Sequence, residues 1–206
     1  MIQILSLAQH GVQAHIFDSM FEDRKRLFVD LLGWDVPVID NRFEIDRFDT
    51  KHAVYFVAAD EDGQHQGSLR LLPTIHPHIL DSLFGDLCPG GVPTGEQIFE
   101  ITRLCLPARL GCAQRLETRK QLISAMVDYA LANGIIRLTG VVDAGFRNDI
   151  LNMGWLAEPL GPAKLFDGAN LGAFAIHISS DTPERLNWTG IYRENITADR
   201  VQKVSA

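Results

Sequence analysis

The segment QRLETRKQLISAMVDYALAN, residues Gln114–Asn133, decides the fold class of this chain. Its apolar side chains recur every three or four residues, as in an amphipathic helix that ends at Gly134; they are Leu116, Leu122, Ile123, Met126, Val127, Ala130 and Leu131. Strand-like runs lie on both sides, at Gln97–Leu106 and Ile135–Val142. A long central helix between strands predicts a mixed α/β sandwich, and the absence of a GxGxxG motif argues against a Rossmann fold.

Further elements are predicted on both sides of this centre. Before it we expect a strand at Met1–Leu7, a helix at His15–Leu32, a charged loop to about Lys51, and a hairpin of Ala53–Ala59 with Gly67–Leu72 around an Asp-Gly turn. The remaining predictions are short helices at His76–Phe84 and Phe146–Met153, and strands at Trp155–Leu160 and Leu171–Ile178. The tail from about residue 181 is polar and expected to be peripheral, so residues 1–206 are predicted to form a single domain.

Composition limits the possible functions. The chain has 206 residues, 46% of them hydrophobic, and a net charge of -7, which disfavours binding to nucleic acid or to anionic membranes. The sequence shows neither a signal peptide nor a membrane span, so a cytoplasmic location is expected. The three cysteines, Cys88, Cys105 and Cys112, lack CxxC spacing and are predicted to be buried, and no bound metal is expected.

An early segment combines charged and aromatic residues in a way that suits a ligand better than a core. Arg24 and Phe28 lie close to Trp34, and the carboxylates of Asp46 and Asp49 follow before the first convincing core strand. Such side chains together indicate a site for a small molecule that carries both charge and a flat ring.

The ordered set of these residues resembles the signature of LuxI-type acyl-homoserine-lactone synthases, over about residues Arg24 to Gly154. The matching residues are Arg24, Phe28, Trp34, Asp46, Asp49, Arg70, Phe84, Glu100 and Arg103. The resemblance implies a GNAT-like three-layer sandwich, a twisted mixed sheet flanked by helices. It also implies synthesis of an N-acyl-L-homoserine lactone quorum-sensing signal from S-adenosylmethionine and an acyl thioester. The resemblance further implies release of methylthioadenosine, acyl-acyl-carrier protein rather than acyl-coenzyme A as the favoured donor, and no cofactor.

The chemistry of this reaction suggests a role for each residue. An ammonium group must lose a proton before it attacks a thioester, and Glu100 is the candidate base. Arg24 and Arg103 are candidate clamps for the substrate carboxylate. Phe28, Trp34, Asp46 and Asp49 are candidate partners of the sulfonium, and Arg70 is expected to structure the electrostatic cluster through a buried carboxylate.

Glu100 and Arg103 pose a geometric problem. Residues three apart on a regular strand point to opposite faces of a sheet. For both to serve one pocket, the strand must bulge or end near Thr102, and bulges are common beside active sites.

The sequence indicates the acyl donor and its pocket less clearly. Candidate acyl-pocket residues are Phe84, Met126, Val142 and Leu151. Members of the family that the chain resembles often carry a Thr near the position of Val142 when they make 3-oxo products, so the resemblance weakly disfavours a 3-oxo product here. Arg109–Ala113 only partly imitates the pyrophosphate loop of GNAT enzymes, which favours a carrier-protein donor. Arg147 and Lys164 are candidate docking residues for that carrier protein. Two alternatives stay open: a GNAT-like N-acyltransferase that uses acyl-coenzyme A and another amine, and a binding module without catalysis.

Overall fold

The computed structural model describes residues 2–11 and 13–194, which form ten strands and five α-helices. The strands are β1 (Ile2–Leu5), β2 (Val38–Ile39), β3 (Phe43–Glu44), β4 (Val54–Ala59), β5 (His65–Pro73), β6 (Ile98–Cys105), β7 (Arg137–Asp143), β8 (Leu156–Pro159), β9 (Lys164–Phe166) and β10 (Ala169–His177). The helices are α1 (Ala14–Arg24), α2 (Ile79–Phe84), α3 (Cys112–Ala132), α4 (Ala144–Leu151) and α5 (Thr182–Trp188). A π-helical segment, Lys25–Leu31, continues α1.

One mixed sheet organises these elements. Its strand order is β1-β4-β5-β6-β7-β10-β8, and β9 extends it by pairing with β10. The β6–β7 pair is parallel, whereas the other pairs of this sheet are antiparallel. The crossover between the two parallel strands is made by α3, as expected for a helix that packs back onto its own sheet.

Helices cover both faces of the sheet. One face packs against α3, α4 and α5 around an apolar cluster that includes Phe56, Met126, Phe174 and Leu186. The other face packs against α1 and α2 around Phe17, Tyr55 and Leu72. Because side chains alternate along a strand, Tyr55 and Phe56 supply opposite layers. The predicted GNAT-like three-layer sandwich is confirmed.

The predicted central helix and the hairpin of β4 and β5 are confirmed, with shifts of a few residues at their ends. The predicted helix His15–Leu32 changes from α- to π-helical after Arg24. Within the charged loop the sequence analysis missed the β2–β3 hairpin, and it missed β9 as well. These short strands lack the length over which alternation can be recognised.

Two expectations need correction. The start of the tail is not peripheral, since Leu186 of α5 is fully buried against the α3 layer; residues 195–206 and Met1 lie outside the described residues. Cys88 and Cys105 are buried as predicted, but Cys112 is exposed. It opens the first turn of α3, two residues before the predicted helix start, where the helix faces solvent.

Candidate active site

A bulge in β6 allows Glu100 and Arg103, three residues apart, to face the same side of the sheet. Opposite β5, Ser68 pairs with Cys105 but Arg70 pairs with Thr102, so that β6 has one residue more than its partner. Arg103 takes up this extra length with a φ of 50°, in the left-handed region. The irregularity predicted near Thr102 is confirmed, and it turns Arg103 towards the α1 face that Glu100 and Thr102 also line.

Six charged side chains meet on this face and form what we call the arginine–carboxylate network: Arg24, Glu44, Asp46, Asp49, Arg70 and Arg103. They come from α1, β3, the loop after β3, β5 and β6. Three guanidinium groups face three carboxylates, so the network is formally neutral. This balance allows the charges to be buried together, because each one retains opposite charges as partners.

Arg24 lies at the centre of the network and is 1% exposed. Its Nε donates to Glu44 Oε2 at 2.5 Å, and its Nη1 and Nη2 donate to the two Asp49 oxygens at 2.9 Å each. The Tyr55 hydroxyl also donates to Asp49, at 2.8 Å. The predicted substrate contacts of Arg24 and Asp49 therefore need revision, because their polar atoms are already engaged inside the protein.

Arg70 has the buried carboxylate partners that the sequence analysis required. Its Nη1 and Nη2 donate to the two oxygens of Asp46 at 2.8 and 2.9 Å, and its Nη1 also lies 2.6 Å from Asp49 Oδ1. Its Nε donates to Thr102 Oγ1 at 3.0 Å, which fixes the guanidinium to the bulged strand. Such a bidentate pair sets the position and the plane of both groups.

Arg103 occupies the edge of the network. Its Nη2 lies 3.0 Å from Glu44 Oε1 and 2.7 Å from Asp46 Oδ2, and its guanidinium carbon lies 5.5 Å from the centre of the Phe28 ring. The side chain keeps 10% exposure, against 1% for Arg24 and Arg70. Within the described residues its contacts to carboxylates use Nε and Nη2. This leaves Nη1 able to meet a ligand.

The network holds Asp46 and Asp49 ionised. Burial by itself would raise the pKa of Asp46, but the hydrogen bonds and charge of Arg70 lower it below its ordinary range. Burial also opposes ionisation of Asp49, yet the charges of Arg24 and Arg70 hold its pKa far below the usual value. Both carboxylates therefore stay negative at neutral pH.

Two aromatic rings extend this face. Phe28 and Trp34 stack with their centroids 4.7 Å apart and their planes 13° from parallel. Phe28 lies in the π-helical segment and is buried, whereas Trp34 follows that segment and is 46% exposed. The Trp34 backbone N–H donates to the Phe28 carbonyl at 2.8 Å, which holds the two residues close along the main chain. Trp34 therefore offers an exposed aromatic surface, and Phe28 lies between it and Arg103.

Glu100 lies at the start of α2. Its Oε2 accepts the Ile79 N–H at 2.7 Å and its Oε1 accepts the Leu80 N–H at 2.9 Å. Burial raises the pKa of Glu100 to about 7, although the two amide hydrogen bonds oppose the shift. Such a carboxylate exchanges a proton near neutral pH.

Glu100 also lies where two strands separate. The pairing of β6 with β7 covers Ile98 to Glu100 and ends at the Glu100–Thr139 pair, although β6 continues to Cys105 and β7 to Asp143. We call the resulting gap the strand cleft. Its edges carry backbone groups released from pairing, including N–H groups of the kind that stabilise an oxyanion.

The predicted acyl-pocket residues divide between two faces. Met126 belongs to the apolar cluster on the α3 face, and Val142 and Leu151 pack against it. Phe84 packs on the opposite face, where its ring lies 5.3 Å from that of Phe166 in an edge-to-face contact. Phe84 lies across the sheet from the other three residues, because α2 covers the face opposite to α3. One pocket lined by all four stays a prediction, and it would require a passage between the strands.

The predicted docking residues have local partners. Arg147 of α4 is partly buried, and its Nη1 donates to the Gly161 carbonyl at 2.9 Å. Lys164 is exposed, and its Nζ donates to the Asp86 carbonyl. Arg109, from the loop that only partly imitates a pyrophosphate site, is bound by Asp23 and by the His65 carbonyl.

The sequence analysis did not assign roles to Glu44 and Tyr55. Glu44 bridges Arg24 and Arg103, and Tyr55 orients Asp49. The charged segment around Glu44 could have indicated that Glu44 belongs to the site. The sequence gives no such indication for Tyr55, because a tyrosine in a strand commonly packs in the core.

Neither metal nor membrane insertion is indicated in the part of the chain that the structure describes. Residues 2–11 and 13–194 contain no group of three or more His, Cys, Asp or Glu side chains that could hold a metal ion. Among these residues, no helix combines the length and the apolar character needed to span a bilayer. The expected lack of a metal or cofactor stays a prediction.

The mixed sheet with its strand cleft places the chain in the GNAT-like fold class, and comparison with known proteins assigns it to a family. The family described as autoinducer synthase matches residues 9–186. The chain belongs to this family, and it is an enzyme that acts as an acyl-homoserine-lactone synthase, a transferase of quorum sensing.

Similar proteins carry the same assignment. An acyl-homoserine-lactone synthase of Ralstonia nicotianae is 33% identical over 174 residues, which cover 81% of this chain and 84% of that protein. One from Rhizobium etli is 34% identical over 167 residues, covering 80% and 78%. Among solved structures, the CoA-dependent acyl-homoserine lactone synthase BjaI with SAM and isopentyl-CoA is 25% identical, with a TM-score of 0.81 over 92% of this chain and 89% of that one.

Proposed function

We propose that this enzyme forms an N-acyl-L-homoserine lactone from S-adenosylmethionine and an acyl thioester, preferring acyl-acyl-carrier protein, and releases methylthioadenosine. One observation carries the proposal. The partly exposed guanidinium of Arg103, the stacked rings of Phe28 and Trp34, and the buried Glu100 lie around a strand that separates from its neighbour. This arrangement suits a substrate with a carboxylate, a sulfonium, a flat ring and an amine.

S-Adenosylmethionine binds at the edge of the arginine–carboxylate network. Arg103 pairs with the substrate carboxylate, since it is the most exposed of the three guanidinium groups. The sulfonium and adenosyl groups lie against Phe28 and Trp34, whose ring faces attract cations. Asp46, 6% exposed, faces the same edge. Arg24, Asp49 and Arg70 act by holding these groups in place.

Acyl transfer takes place at the start of the strand cleft. Glu100, directly or through a water molecule, accepts a proton from the substrate ammonium group, whose nitrogen then attacks the thioester carbon. Backbone N–H groups at the opened edges of β6 and β7 stabilise the oxyanion that develops. Collapse of this intermediate breaks the carbon–sulfur bond, forms the amide, and returns a proton to the leaving thiolate.

Lactone formation follows within the bound product. A carboxylate oxygen attacks the carbon attached to the sulfonium, and the electron pair of the broken bond goes to sulfur, which leaves in neutral methylthioadenosine. No proton transfer is needed, so orientation of the carboxylate by Arg103 supplies most of the acceleration.

The preference for a carrier-protein donor rests on Arg109. Its guanidinium is held by Asp23 and the His65 carbonyl, which makes it a poor ligand for the pyrophosphate of coenzyme A. The similar protein BjaI is CoA-dependent, so the donor must be tested directly.

The test uses the purified enzyme with S-adenosylmethionine and matched acyl-carrier-protein and acyl-coenzyme A donors, analysed by mass spectrometry. We expect acyl-homoserine lactone and methylthioadenosine in equal amounts, with a higher kcat/KM for the carrier-protein donor. Better turnover of the coenzyme A donor would reverse the donor assignment alone. An acylated amine without lactone or methylthioadenosine would favour a GNAT-like N-acyltransferase, and binding without any product would indicate a silent module.

A further inference from the structure

Phe174 lies beside the start of the strand cleft. It is the direct partner of Gly140 in the β7–β10 pair, and Gly140 is the first β7 residue beyond the last β6–β7 pair, which ends at Thr139. The strand cleft therefore begins beside this pair of residues.

The missing side chain of Gly140 makes room for the Phe174 ring. A Cβ atom at Gly140 would lie 2.6 Å from Cζ and 2.9 Å from Cε1 of that ring, and 3.1 Å from the carbonyl oxygen of Ile101 on β6. The ring thus lies across β7, next to the point where the two strands diverge. A larger residue at position 140 would displace it.

The ring also lies on the apolar side of the sheet. Phe174 is 2% exposed and belongs to the cluster on the α3 face together with Met126, Leu138 and Ile150. The polar site with Glu100 lies on the other face of the sheet, so a thioester held there can send its apolar chain through the gap between β6 and β7. On the far side, the aromatic ring beside the start of the cleft is that of Phe174.

We propose that Phe174, in the space left by Gly140, forms the floor of the acyl pocket and limits the length of the acyl chain. This inference rests on the proposed function, because it concerns the acyl substrate of that same site. The competing path is the apolar cluster around Phe84 on the α2 face, which adjoins Glu100 without crossing the sheet.

The experiment compares Phe174→Leu, Phe174→Ala and Phe84→Leu with the wild-type enzyme on a series of acyl donors of increasing even chain length. The control is Phe56→Leu, which truncates a fully buried phenylalanine of the same cluster on β4, two strands away from the cleft. Lactones are quantified by mass spectrometry, and a thermal melt confirms that each variant is folded.

We expect both Phe174 variants to move the optimum of kcat/KM to chains longer by about two carbons or more, because removed ring atoms leave space for methylenes. The Phe56 and Phe84 variants should keep the wild-type optimum. An unchanged optimum in folded Phe174→Leu, or a shift in Phe84→Leu alone, would overturn the proposal. Lack of lactone from every donor in the wild-type enzyme would instead count against the proposed function.

Discussion

Glu100 shows how the surroundings of one residue decide its chemistry. Burial disfavours the negative charge, while the N–H groups of Ile79 and Leu80 favour it, and the result is a pKa of about 7. A base must be deprotonated to act, so turnover should rise as the pH increases through about 7 and level off above it.

Glu100→Gln should lower kcat roughly 100-fold or more and abolish that inflection in the pH–rate profile. The variant should also lose some stability, because an amide NH2 would face an N–H donor, so its fold is checked by circular dichroism. Glu117→Gln, which changes a partly exposed partner of Arg193, serves as the control. Retention of wild-type kcat and pH profile in Glu100→Gln would remove Glu100 from catalysis.

Asp49 is a residue whose charge stabilises the fold itself. Asp49→Asn leaves Arg24 and Arg70 with less compensating charge in a buried network, so the free energy of unfolding in urea at pH 7 should fall by about 3–5 kcal/mol. The folded pKa of Asp49 lies below its ordinary value of 3.8. The contribution of ionised Asp49 to folding stability is therefore complete above pH 3.8 and is lost as the pH falls below that value.

The difference in unfolding free energy between wild type and Asp49→Asn should accordingly shrink below pH 3.8. Asp181→Asn, an exposed acid paired with Arg185, should change stability little at any pH. An equal loss in both variants would show that the buried network has no special role.

At the scale of elements, the start of α2 supplies the N–H groups that lower the pKa of Glu100. Ile79 is the first helical residue, and His78 before it is extended, with φ -137° and ψ 170°. Proline is tolerated at a first helical position and favours an extended residue before it. Replacement of Ile79 by proline therefore removes one N–H donor to Glu100 and preserves the helix.

Ile79→Pro should move the pH–rate inflection above pH 7, since the lost hydrogen bond had lowered the pKa of Glu100. Ile79→Ala removes the same packing but keeps the N–H, and its inflection should stay at the wild-type value. If the two variants gave the same profile, the amide would have no part in tuning the base.

At the scale of the whole molecule, net charge constrains where the proposed carrier-protein donor could dock. The chain has a net charge of -7, so an acidic carrier protein must approach a local positive patch. Lys164 is exposed, whereas Arg147 is partly buried and held by Gly161. Of the two residues proposed for docking, Lys164 is therefore the more exposed, and its Nζ donates to the Asp86 carbonyl.

Lys164→Ala should lower kcat/KM for an acyl-carrier-protein donor by about two- to five-fold, the effect of a surface charge pair, and should weaken its dependence on salt. Turnover of an acyl-coenzyme A donor should not change. Arg185→Ala on α5 is the control for a general loss of positive charge. Equal losses with both donors would rule out docking at Lys164.

The amphipathic segment Gln114–Asn133 and the alternating strands determined the layered fold, because periodicity along the chain reports which face is buried. The order of residues along the chain also indicated the candidate site residues. The spacing of Glu100 and Arg103 required a bulge, which is found at Arg103. Contacts between distant segments could not be obtained in this way. Three findings depend on packing across strands and helices. Glu44 and Asp49 bind Arg24 inside the protein, Phe84 lies on the face opposite Met126, and Phe174 covers Gly140. Local pattern does not encode such contacts, since they form only when residues far apart in the chain compete for the same buried space.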